Sequence, residues 1–149
     1  MLLVAVYSPL VAADAPTPID AKTLFNANCA VCHRPTGAGT PGLAPPLTDI
    51  PAVLMSSSEG RRQLAMTVLY GMYGEITVNE RRYNFKMPAF SQLEDEVLAA
   101  LVNYVSHDLA QVAATTTLTA ADLAAERNHP VDGAAVRAHR TQVLSSNVP

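Results

Sequence analysis

Tryptophan is absent from this chain of 149 residues, which has five tyrosines and three phenylalanines. A core so poor in large rings suggests a bulky apolar cofactor as filler. Like charges never run five or six together, and the formal net charge is −3. That excludes a general electrostatic pull toward nucleic acid or anionic lipid. Beyond the first residues, no stretch is long and apolar enough to span a membrane. Convincing strand alternation is also lacking; the pattern at Glu75 to Val78 is short. No internal repeat is present. What remains is a chain that is 49% apolar, enough for a packed core. Its length suits one domain with extra segments.

The chain opens MLLVAVYSPLVAADA. An apolar run that ends in the A-x-A site Ala13-Asp14-Ala15 reads as the back half of a secretory signal peptide, residues 1–15. Its basic n-region is missing, as at a truncated or misassigned start. The expectation is an exported, periplasmic protein in an oxidising compartment.

Helical signals dominate the rest, and the fold class expected is all-α. Asp20 is placed to cap a first helix, Ala21 to His33, with Leu24 and Phe25 on its buried side. From Arg34 to Pro51 the density of Gly and Pro predicts a long loop, of the kind that wraps something functional. Ser56-x-x-Glu59 has the form of a capping box for a helix to about Met72. Leu64, Val68, Leu69 and Met72 share one face of it, and Gly71 and Gly74 stop it. Ser91-x-x-Glu94 introduces an amphipathic helix to about Leu109, with acidic residues in its first turn where the dipole favours them. Thr119 is a cap for a helix through Arg127, and Asp132 for a last helix through Leu144.

Cysteine occurs only as Cys29 and Cys32, followed at once by His33. A redox dithiol normally sits at a helix start within a βαβ context; here the pair ends a predicted helix and no such context exists. A zinc site needs four ligands, and His107, His129 and His139 form no paired motif. A structural disulfide across two intervening residues closes a tiny loop and constrains the unfolded chain little. Covalent haem attachment fits best. Two thiols on one turn add to the two vinyl groups of a porphyrin, and the adjacent histidine reaches the iron.

With that motif the chain resembles the class I mono-haem cytochromes c, over roughly residues 18 to 110. Phe25, four residues before the first cysteine, resembles the family's helix-packing aromatic. "MPAF", Met87 to Phe90, resembles the distal-ligand segment, and "LEDEVLAALVNYV" the last helix. "YGMYGEI", Tyr70 to Ile76, resembles a short periplasmic subgroup that serves dehydrogenases and terminal oxidases. The resemblance implies a cytochrome c fold around one covalent haem c, formed by residues 16–112, with a helical extension at 113–149. It implies that the Pro45 carbonyl holds the proximal His33, that Leu47 packs on the haem, and that Met87 is the distal ligand. A thioether donates weakly and favours Fe(II), so His/Met ligation raises the potential. Met72 and His107 are the rivals to Met87. For the haem propionates, Tyr83, Asn84, Arg81 and Arg82 are nearest in sequence, since the tryptophan that some members carry there is lacking.

The function this implies is one-electron transfer between periplasmic redox partners, alone or as a subunit of a dehydrogenase or oxidase; the protein is a carrier, not an enzyme. The alternative is a haem enzyme or gas sensor with an open or labile distal position. The two weakly amphipathic tail helices are too short to be stable alone. They dock either on the haem domain or on a partner. His129 and His139 read as solvent-exposed.

Overall fold

The computed structural model describes residues 18–113 and 115–147. The export segment expected at residues 1–15 lies outside the described residues. Asp20 starts helix α1 (Ala21–Asn28): its carboxylate accepts from the Thr23 amide at 3.0 Å and the Thr23 hydroxyl at 2.7 Å. Phe25, fully buried, packs its ring against Tyr104 with centroids 5.6 Å apart. The single helix expected over Ala21–His33 is broken in two. Asn28 turns its side-chain amide back to the Leu24 carbonyl (2.8 Å), a local bond that competes with helix continuation. The helix is distorted at Cys29 (φ −115°, ψ −35°) and resumes as the single turn α2 (Ala30–His33).

The expected Gly/Pro loop follows, but it ends in a helix that sequence reasoning missed, α3 (Ile50–Met55). Pro51 does not break the chain here. It occupies the first turn, where a missing N–H costs nothing. Helix α4 (Ser58–Tyr70) is capped one residue later than expected. Ser57, not Ser56, accepts from the Gly60 amide at 3.0 Å, while Ser56 bonds back to Val53 in α3. The helix ends at Gly71, so Met72 lies beyond it.

A hairpin then departs from the all-helical expectation. Strands β1 (Ile76–Val78) and β2 (Arg81–Tyr83) pair antiparallel, with Ile76 opposite Tyr83. Asn79 and Glu80 in the turn both have positive φ, as a two-residue hairpin loop requires. Ile76, Val78 and Tyr83 point inward as a small cluster with Ile50 and Met72. Three-residue strands give too few alternations for the period to show in sequence.

Helix α5 (Asp95–Asn103) carries Leu98, Leu101 and Val102 into the core. In place of the expected α-helix to Leu109, the chain widens into a π-helical segment, Tyr104–Leu109. The junction is a docking point for the returning tail. The Asn103 side chain donates to the Leu118 carbonyl and accepts from the Leu118 amide, both at 2.8 Å. No local periodicity announces such a contact.

The last two helices begin where the sequence indicated. Thr119 and Asp122 form a reciprocal capping box at α6 (Ala120–Arg127). Asp132 accepts from the Ala135 amide at 2.8 Å at the start of α7 (Gly133–Asn147). Both helices pack on α4, and α6 also on α5. Leu118, Leu123 and Val143 join Phe25, Leu69 and Leu98 in one continuous core. Polar contacts reinforce the seam. The Tyr70 hydroxyl donates to the Glu126 carbonyl at 2.6 Å, and Arg127 bonds Asp95 at 2.6 Å and the Ser91 and Leu93 carbonyls. No helix among the described residues is long and apolar enough to cross a membrane.

Candidate haem site

Between α2, the loop after it, α4, the hairpin and α5 lies an apolar cavity. One wall comes from a short run of chain. Cys29, Cys32 and His33 line it, as do Pro45 and Leu47. Both cysteines are free thiols. Burial, and then the neighbouring Cys32, push the Cys29 thiol up to about 11, so it is neutral at pH 7 rather than a reactive thiolate. His33 is 8% exposed, and its Nδ1 lies 2.9 Å from the Pro45 carbonyl oxygen. A carbonyl can only accept, so Nδ1 carries the proton and Nε2 keeps its lone pair. Nε2 makes no hydrogen bond among the described residues. Burial holds the ring's proton affinity below the ordinary value, and the Pro45 bond partly offsets this. Neutral imidazole is the form that binds a metal.

Local bonds hold this wall. The Gly39 amide donates to the His33 carbonyl (2.9 Å), and the Thr40 hydroxyl to the Cys32 carbonyl (2.9 Å). Gly39 has φ +73°, and a Cβ there would lie 2.6 Å from the Ala44 oxygen and the Pro45 carbon. Only glycine lets the loop fold back far enough to bring Pro45 to His33.

The facing residues come from distant segments. Met87 lines the same cavity. Its backbone pairs with Met72 in an isolated bridge, with N···O distances of 2.9 and 3.1 Å. Gly71, with φ +69°, makes room: a Cβ there would meet the Met87 oxygen at 2.4 Å. Met72 also faces the cavity, whereas Met55, Met66 and His107 do not line it. Leu64, Val68, Leu98 and Val102 complete an apolar surround. Gln63, 1% exposed, and Thr67 are polar members of the wall, and Gln63 donates to the Thr67 hydroxyl at 2.9 Å.

Of the four residues nearest in sequence for propionates, Tyr83 is buried and lines the cavity. Arg81, Arg82 and Asn84 are exposed and absent from its walls, and Arg82 pairs with Glu75. Arg82, opposite Thr77, lies on the hairpin's outward face; Arg81, opposite Val78 beside the turn, is solvent-exposed, and Asn84 lies just past β2. Two cations among the described residues line the cavity, the exposed Lys86 just past the hairpin and Arg140 from α7. Sequence reasoning missed Arg140 because only the docking of the tail brings it near. His139, expected to be exposed, is bonded through Nδ1 to the Gln63 Oε1 at 2.7 Å; His129 is exposed.

The donor set suits a covalently attached haem. Paired thiols, an imidazole with a free Nε2 and a thioether share one apolar slot. Among the described residues, no three His, Cys, Asp or Glu side chains are placed to hold a metal ion by themselves. A helical wrapping of such a slot defines a c-type haem protein. The family profile described as Cytochrome c matches residues 19–108, and the chain belongs to that family, with haem c as its covalent cofactor. It is similar to cytochrome c-552 of Thermus thermophilus, 41% identical over 80 residues, which are 54% of this chain and 61% of that protein. A second cytochrome c-552 from the same species is likewise 41% identical over 80 residues, 54% of each chain. The match thus spans less than two thirds of either relative.

Proposed function

We propose that this chain is an electron carrier in which His33 and Met87 are the axial ligands of one haem, tethered by Cys29 and Cys32. Each thiol adds its sulfur and its proton across a vinyl C=C, which leaves no by-product. When bound, the haem supplies a one-electron Fe(III)/Fe(II) couple. The rest is the work of the chain. Pro45 fixes the His33 tautomer and raises its donor strength. The Met87 thioether favours the reduced state. Leu47 and Tyr83 pack the slot and keep water from it. With both axial positions held by protein, no site is left for substrate. The observation that carries this reading is that His33, with Nδ1 committed to Pro45, and Met87 wall one apolar cavity.

Val31 (81% exposed) and Phe85 (62% exposed) both border the cavity and face solvent. They are suited to brief, small-area contact with a redox partner. The partners proposed are periplasmic dehydrogenases or terminal oxidases, with residues 16–112 as the haem domain and 113–149 as its helical extension. The test is Met87→Ala in the holoprotein. Loss of the red charge-transfer band of thioether-bound ferric haem, with new binding of CO to the reduced form, is the expected result. An unaltered spectrum overturns the Met87 assignment. Rapid CO binding by the unmutated protein would instead favour a haem enzyme or gas sensor.

A further inference from the structure

Arg140 and Arg137 lie one turn apart on α7. Arg140 reaches the cavity wall and has no hydrogen-bond or ion-pair partner among the described residues. Burial lowers its proton affinity, the direction expected of a cation short of counter-charge. Arg137 packs its guanidinium on Gly74, another residue of the wall; a Cβ on that glycine would fall 2.6 Å from Nε. That Nε is buried and unpartnered. Unpaired buried polar groups are costly and call for a ligand or an ordered partner. A nearby helper is also fixed: His139, between the two arginines, is anchored to Gln63 on α4. Val136 and Val143 seat the same helix in the core. The guanidinium of Arg140 is thus carried on a rigid, well-docked element.

We propose that Arg140, with Arg137 adding positive potential beside it, binds the carboxylates of the haem, so that the C-terminal tail is part of the cofactor site and sets its potential. This rests on a haem occupying the cavity, as proposed above, and not on the identity of the distal ligand. Haem carries two propionates, and a planar guanidinium is the side chain best matched to a carboxylate. A cation paired to those carboxylates offsets negative charge near the iron. Removing it leaves the carboxylate charge uncompensated and favours Fe(III).

The test is equilibrium redox titration of the holoprotein and of Arg140→Gln and Arg140→Lys. In R140Q, the ratio of reduced to oxidised protein at a fixed potential should fall by about tenfold, a drop of about 59 mV for a one-electron couple. R140K should recover most of it, and Arg82→Gln, on the outer face of the hairpin, should not shift it. A change under twofold in R140Q, or an equal change in R140K, overturns the proposal. Where R140Q fails to fold, magnetisation transfer between labelled haem carboxyl carbons and labelled arginine side chains in the unmutated holoprotein decides. Transfer to Arg140 supports the clamp, and its absence overturns it. If the protein carries no covalent haem at all, the cofactor reading itself fails, which is a distinct result.

Discussion

The two sides of the cavity are built in opposite ways. On one side, Cys29, Cys32, His33, Pro45 and Leu47 fall within a short stretch, held by the bonds from Gly39, Thr40 and Pro45. On the other, Gln63, Tyr83, Met87, Leu98 and Arg140 are gathered from α4, the hairpin, the loop after it, α5 and α7. The first side is a local structure that needs little of the fold. The second exists only when the helices, tail included, are packed together. Damage to either should therefore report differently: cofactor attachment fails with the first, and ligation and stability fail with the second.

The largest effect expected is from Cys29→Ala combined with Cys32→Ala, which should abolish covalent haem. Mass spectrometry of the purified chain would read this, and retention of the haem mass would disprove the attachment site. Next is Leu123→Ala. Leu123 is fully buried in the shared core, so its truncation should cost about 2–5 kcal/mol in denaturant unfolding of the holoprotein. A cost near zero would mean that the tail is not part of the cooperative unit.

The two tight glycines allow the sides to be broken one at a time. Gly71→Ala and Gly39→Ala each force an alanine to positive φ against backbone, at about 1–2 kcal/mol or more. G71A should disturb the thioether band while leaving the His33 side intact, and G39A should do the reverse. Identical spectra from the two would show the sides to be inseparable. Thr119→Ala removes one half of the capping box on α6 and should cost about 1 kcal/mol.

The smallest expected effect is at alkaline pH. Burial, and then the Glu126 charge, raise the Tyr70 phenol above its ordinary value. The folded state thus holds that proton more tightly than the unfolded chain. Its contribution is complete below the unfolded value of about 10 and is lost as pH rises through the folded value. Unfolding curves at rising pH should show this extra alkaline loss, and Tyr70→Phe should remove it.

The N-caps Asp20, Thr119 and Asp132 were legible because a cap is a contact between residues three apart. The Cys-x-x-Cys-His element was legible for the same reason. The break at Cys29, the capping shift to Ser57 and the helix begun at Ile50 turn on small local preferences that neighbours decided. The hairpin was too short to show its period. The π-helical segment appears where Asn103 meets Leu118, and Arg140 arrives through a docked helix.

Sequence alone pointed to the helical class and, through a Cys-x-x-Cys-His spacing that fits within about one turn, to covalent haem, whereas Pro45 and Leu47 entered through the family resemblance. That Met72 and Met87 both wall the slot, and that Arg140 of the tail reaches it, is visible only in three dimensions. Those residues meet through burial of a common apolar core, and burial is a property of the packed whole that no single segment encodes.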